Sequence, residues 1–367
     1  MPQALIMAPD PSPESPATHP RGGGWAAAAG ALRGLAEDQT RPSAELVRMG
    51  SDSLLGWLCG DGDSAVEITW SEWEELDLLA PVAAAHGWRG PVARWLATLD
   101  ELPAWAGEHL GPGARPGEVL AEELGLWLAG AEADSEQSSG QAAIPWTGKP
   151  LARGRRLADR EEVARQVLGQ LSGGERIVVH GFSQTLAATL TAAWKTGRET
   201  EVVLSESPAN LGGRRMALGL VAAGLPVRLA WDLALFDELP AADWLWLGTE
   251  AIGAGAFLAP RGSRALLEAA RRLGVATAVV TTTDKLMPGG ELIRPAAGEE
   301  SGLLWELPPE GVALDSCAWE AVPLDLPMTF ITEQGAGQAL DIFINTPSPS
   351  ASPARTDTFD YDKILTR

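Results

Sequence analysis

The sequence predicts an α/β fold, with an N-terminal helical domain followed by a Rossmann-like, doubly wound and mostly parallel sheet. Three observations predict it. Residues 25–133 repeat apolar side chains at intervals of three and four and carry few β-branched residues. From residue 176 onward, apolar runs of four to seven residues alternate with amphipathic stretches of ten to fifteen, a rhythm that demands βαβ crossovers. At 367 residues and 45% hydrophobic, the chain is long enough to build two cores.

In order, residues 1–24 are rich in Pro, Gly and Ser without apolar period and read as a disordered arm. The helical bundle domain, 25–133, opens its second segment with AELVRMGSDSLLGWL, where Thr40 is placed to cap and Pro42 to sit in the first turn. GPVARWLATLDELPAWAGEHL and PGEVLAEELGLWLAGAEA continue the period, for about five helices in all. The 15 Trp are scattered among Leu and Ala at helical spacing, Trp57, Trp70, Trp73, Trp88 and Trp95 among them, and are expected in the core. Residues 134–157 read as a linker, and DREEVARQVLGQL as a helix stopped by Ser172-Gly173-Gly174.

The α/β domain, 158–335, then runs strand RIVVH, helix SQTLAATLTAAWKTG, strand TEVVLSE, helix GGRRMALGLVAAG, strands PVRLAWD and ADWLWLG, helix GSRALLEAARRLG and strand VATAVVTTT. Residues 336–367, with TPSPSASPARTDT before FDYDKILTR, read as a flexible tail.

Charge and composition exclude several functions. A net charge of −21 argues against nucleic acid as a partner. No apolar run is long enough for a membrane span, and the first residues lack a secretory signal pattern. Two cysteines, Cys59 and Cys317, and four histidines make neither a disulfide framework nor a metal cluster, so the expected place is the cytoplasm and no metal or cofactor is expected. No GxGxxG follows the first strand, and neither a GxxxxGK[ST] loop nor a GxSxG elbow occurs.

Parallel sheets bind ligands outside the carboxyl ends of their strands. The first strand ends in His180-Gly181-Phe182-Ser183, where Gly181 permits a tight turn and Ser183 or Thr185 can cap the next helix. The second ends at Glu206, with Gly213 and Arg215 opening the helix beyond. Glu206 suits a sugar hydroxyl and Arg215 a phosphate, and both equally suit pairing with neighbours. Asp232, Glu250 and Lys285 stand at the ends of the third, fourth and fifth strands. Together they imply a polar crevice at the carboxyl edge.

The segment VVHGFSQTLAATLTAAWKTGRETEVVLSESPANLGGRRMALGLVAAGLPVRLAWD, its continuation GTEAIGAGAFLAPRGSRALLEAARRLGVATAVVTTTDK and the closing VPLDLPMTFITEQG carry a resemblance. They resemble the shared C-terminal domain of the alpha, beta and delta subunits of initiation factor 2B. That superfamily includes methylthioribose-1-phosphate isomerase and ribose-1,5-bisphosphate isomerase. The resemblance implies a homodimer formed through the α/β domain and a crevice for a phosphorylated small molecule. The ligand-binding set it implies is His180, Gly181, Ser183, Glu206, Gly213, Arg215, Asp232, Glu250, Gly262, Ser263 and Lys285. The chain also departs from the isomerase pattern. Gly181 stands where the isomerases have cysteine, Glu250 where they have aspartate, Pro208 in place of a phosphate-contacting arginine, and Ala259-Pro260 in place of Asn-Lys. An aldose–ketose isomerase needs an acid/base pair and fixed cations. The expectation is therefore an initiation-factor-2B-like, non-catalytic protein with a sugar-phosphate- or nucleotide-binding regulatory crevice. The alternatives are a diverged pentose-phosphate isomerase with Glu250 as its acid/base, and a ligand-free scaffold for partners.

Overall fold

A computed structural model describes residues 25–38, 43–59, 66–110, 115–133, 160–207, 211–293, 295, 304–305, 307–314 and 317–338. The arm, the linker, the Thr40–Pro42 cap and most of the tail expected from sequence lie outside the described residues.

Among the described residues, six helices fill the first part: α1 (Trp25–Glu37), α2 (Ser43–Cys59), α3 (Trp70–Leu76), α4 (Ala80–His86), α5 (Gly90–His109) and α6 (Pro116–Ala133). The sequence count of five falls short because α3 and α4 are seven-residue helices, too short to show a full apolar period. Helix α3 is set by a capping box. The Thr69 backbone N–H donates to Glu72 Oε2 at 2.7 Å, and the Glu72 N–H donates back to Thr69 Oγ1 at 3.2 Å. Leu32, Leu46, Leu54, Leu58, Leu99, Leu102 and Leu120 form the core with Trp57 and Trp95, each large side chain stabilising the fold by about 1.5–3 kcal/mol. Trp73 and Trp88 are buried as well, and Trp70 packs against the cluster, so these five tryptophans are structural. Gly50 lets α2 approach α5, since a Cβ there would stand 2.7 Å from the Trp95 ring.

His86 ties α4 to α1. Its ring is fully buried, with Nε2 2.9 Å from the Leu35 carbonyl oxygen. Burial first, then the Arg89 charge, pulls its pKa down to about 4. Below pH 6.5 the unfolded chain takes up the proton that the folded one refuses, so stability falls as pH drops from 6.5 toward 4. The expected loss is about 3 kcal/mol. Urea unfolding across that range checks it, and His86→Gln should flatten the curve.

The second part is a seven-stranded sheet in the order β10-β9-β7-β4-β1-β2-β3. Its strands are β1 (Arg176–His180), β2 (Glu201–Ser205), β3 (Val227–Ala230), β4 (Trp244–Leu247), β7 (Ala276–Val280), β9 (Thr329–Thr332) and β10 (Gly335–Gly337). Only β10 runs antiparallel, pairing with β9 where the sequence reading begins its tail. Helices α7 (Arg160–Leu168), α8 (Gln184–Lys195) and α9 (Gly212–Ala222) cover one face. Helices α10 (Leu235–Glu238) and α11 (Ser263–Leu273) cover the other. Strand β1 shows why the runs are continuously apolar: Ile177 and Val179 pack under α7–α9, and Val178 under α10–α11. The fold is thus the mixed α/β one expected, doubly wound with a helical N-terminal region.

A second, antiparallel sheet joins β5 (Ala251–Ile252), β6 (Ala256–Pro260) and β8 (Trp319–Pro323). GTEAIGAGAF gives no strand signal in the sequence, because a two-residue strand beside two glycines has no readable alternation. Buried Trp88 and half-buried Trp319 meet at 5.4 Å, packing the helical region onto this small sheet. No described helix is long and apolar enough to cross a membrane.

Candidate functional site

The chain leaves β1 toward β2 and β3, then returns to the other side of β1 as β4. The strand order reverses between β1 and β4, which is where an open parallel sheet forms its crevice. His180 ends β1 and is 1% exposed. Its Nε2 donates to the Arg261 carbonyl at 3.1 Å, and burial holds its pKa below the usual imidazole range against the opposing charges of Asp232 and Glu320.

Gly181 follows with φ 86°, and a Cβ there would run into Pro260 Cγ. Any side chain at 181, cysteine included, would have to displace Pro260, so Gly181 and Pro260 are fitted to each other. Ser183 caps α8, its Oγ accepting the Leu186 N–H at 3.3 Å. Across the crevice Gly248 presses on it, an added Cβ standing 2.6 Å from Ser183 Cβ.

The other strand-end residues form two groups. On the β2–β3 side, the Gly181 N–H donates to Ser205 Oγ at 2.9 Å, Ser205 Oγ lies 3.0 Å from Ser207 Oγ, and the Ser207 N–H donates to Asp232 Oδ1 at 2.9 Å. Glu206 is buried and ion-paired with Arg214, while the Arg215 guanidinium sits over the Phe182 ring at 4.9 Å. Gly213 brings α9 against the end of β2, its N–H donating to the Glu206 carbonyl at 3.2 Å. Gly262 and Ser263 start α11 close to His180, and Ser263 Oγ donates to the Pro260 carbonyl at 2.7 Å.

Glu250 and Lys285 belong to a different place. Lys285 Nζ donates to Glu250 Oε2 at 3.0 Å, and Ser43 Oγ of α2 donates to the same oxygen at 2.7 Å. The Gly90 N–H of α5 donates to the Glu250 carbonyl at 2.8 Å. Burial opposes the charge on Glu250, but Lys285, Arg89 and Ser43 together hold its carboxyl below the usual carboxylate range. Glu250 thus clasps the helical region to the sheet rather than facing the β1–β4 crevice alone. Next to it, Thr282 donates to Asp284, Thr283 donates to Glu333 through both N–H and Oγ1, and Arg94 Nε donates to the Leu286 carbonyl at 3.1 Å. Burial and the Asp284 charge push the Glu333 carboxyl up.

Sequence reasoning missed Ser43, Arg89, Ser205, Ser207, Glu320 and the Arg94–Asp284–Glu333 group. Ser43 lies 207 residues from Glu250, and no local signal joins them. Ser205 and Ser207 flank Glu206 and were open to discovery as strand-end hydroxyls. Among the described residues no group of three or more His, Cys, Asp or Glu is set to hold a metal.

Comparison with known proteins gives the lineage. The chain is 31% identical over 107 residues to translation initiation factor eIF2B subunit alpha of Dictyostelium discoideum, a match covering 28% of this chain and 33% of that protein. It is 32% identical over 120 residues to ribose 1,5-bisphosphate isomerase of Haloterrigena turkmenica, covering 32% of this chain and 37% of the relative. The chain therefore spans about a third of the length of either. The solved structure of Pyrococcus horikoshii translation initiation factor eIF-2B shares the fold, with a TM-score of 0.63 over 86% of this chain and 98% of that one, at 17% identity. The model of the initiation factor 2 subunit family matches residues 130–338, more than half of the sequence, and the chain belongs to that family.

Proposed function

We propose that this chain is a non-catalytic member of its family, working by binding and association rather than by turnover. The carrying observation is the state of Glu250, the acid that an isomerase reading would use. Its Oε2 accepts from both Lys285 and Ser43 of α2, so the oxygen that a proton transfer would use is committed to joining the helical region to the sheet. The blocked position at Gly181 supports the same reading. In this reading the β1–β4 crevice is a regulatory ligand site for a phosphorylated sugar or nucleotide. The protein works in the cytoplasm, in keeping with cysteines that form no disulfide. The test is direct: ribose 1,5-bisphosphate and 5-methylthioribose 1-phosphate are incubated with the purified chain and followed by NMR. No conversion is expected, and conversion that disappears in Glu250→Gln would contradict the proposal.

Association is proposed to be homodimeric, through the sheet edge. Strand β3 is an edge strand, and beyond it Trp231 and Leu233 are 71% and 81% exposed. Leu229 on β3 and Leu218 and Val221 on α9, the helix that packs beside β3, are exposed as well. Past Leu233 the chain turns into the core, with Leu235, Leu239, Leu245, Trp246 and Leu247 buried. Trp231→Glu is expected to turn a dimer into a monomer in sedimentation equilibrium; equal masses would remove this face from the proposal.

A further inference from the structure

A cavity of about 380 Å³ opens where the helical region meets the α/β region. Its walls come from the end of α3, from α4 and α5, and from the stretch after β7 that holds Met287 and Ile293. None of the strand-end residues named above lines it. The interior is apolar, with buried Trp73, Leu78, Leu99 and Met287 on its walls. Small residues make the room: Ala83 of α4 and Ala93 and Ala97 of α5 stand where longer side chains would fill the space. A preformed apolar cavity of this size, set between two structural regions, is a common setting for a small-molecule site.

The charged side chains of the lining are both acids. Asp77 ends α3 in the left-handed conformation at φ 44°, and Asp100 stands on α5. Both are exposed, so they mark the mouth of the cavity. Among the described residues no lysine, arginine or histidine lines the cavity, and neither carboxylate has a cationic partner. The Asp100 charge is felt next door: burial, then Asp100, pushes the Glu101 carboxyl up. A cation at the mouth is attracted by Asp77 and Asp100 while its apolar body replaces water along the walls. An anion of the same shape is repelled.

We propose that this cavity binds a small organic cation, an apolar ring or chain bearing one protonated amine, with the amine held between Asp77 and Asp100. The site is separate from the β1–β4 crevice and goes beyond the binding reading given for it. Its occupant touches α3–α5 on one side and Met287 on the other. The Met287 N–H donates to the Ile252 carbonyl of β5 at 2.9 Å, and Lys285, two residues earlier, pairs with Glu250. Binding there braces the junction of the helical region with the sheets, and saturating amine should raise the melting temperature of the whole chain.

The test uses three probes that share one ring: phenethylamine, phenethyl alcohol and hydrocinnamate, titrated into the full chain at fixed ionic strength and followed by ligand-observed NMR. The amine is expected to bind about fivefold tighter than the alcohol, and the carboxylate weakest of the three. Asp77→Asn combined with Asp100→Asn should erase the advantage of the amine and leave the alcohol unchanged; Asn tolerates the left-handed turn at 77. Ala97→Phe puts a ring into the cavity and should weaken the amine by about tenfold or more. Equal binding of amine and alcohol to the unaltered chain, binding of none of the three, or an advantage that survives both Asn substitutions overturns the proposal. If Ala97→Phe does not fold, the Asn substitutions, at exposed positions, still decide it.

Discussion

Replacing Glu250 with Gln is expected to lower the stability of the folded chain by about 3 kcal/mol at pH 7. Glu250 and Lys285 are each 16% exposed, so water screens the pair only partly. The amide would leave the Lys285 ammonium without its counter-charge and Ser43 with a weaker acceptor. The pH dependence follows from the sign of the shift. The folded carboxyl lies below its ordinary value of 4.5, so its contribution is complete above that pH and is lost as pH falls through the folded value. The stability gap between the unaltered chain and the Glu250→Gln variant should therefore be full at pH 7 and shrink below about 4.5. Urea unfolding at the two pH values measures it.

Gly213→Ala is expected to be more severe. A Cβ at 213 would overlap the Ser205 carbonyl oxygen, and would stand 2.8 Å from its carbonyl carbon and 2.9 Å from the Glu206 oxygen. All three are backbone atoms of a buried strand end and have nowhere to move. The loss should exceed about 4 kcal/mol and leave the α/β region unable to hold its β2–α9 junction. Gly219→Ala is the control on the same helix. An added Cβ there meets nothing within 4 Å, and it should be neutral or stabilising by up to about 1 kcal/mol. Circular dichroism with thermal melts separates the two.

The parts of this fold that were legible in the sequence are those with a period. The β1, β2, β4 and β7 runs are apolar on both faces, and α5 and α11 show an unbroken helical stripe. Strands β5, β6 and β8 were not legible. They are short and antiparallel, and β6 pairs with β8 across 59 to 67 residues of chain. The strand-end residues nominated from sequence do sit at the carboxyl edge, because topology alone puts them there. Their partners were out of reach. Glu250 and Glu206 look alike as acids after strands, yet one clasps Lys285 and Ser43 while the other pairs with Arg214. Only the folded chain tells which carboxylate joins two regions and which lies beside the crevice.

The claim that Glu250 is a clasp rather than a catalytic acid is tested most directly by a double-mutant cycle over Glu250→Gln and Lys285→Met, read by urea unfolding at pH 7. The account predicts a coupling of about 1.5–3 kcal/mol that fades as the carboxylate is protonated. Additive losses at pH 7, with no coupling between the two positions, would contradict it.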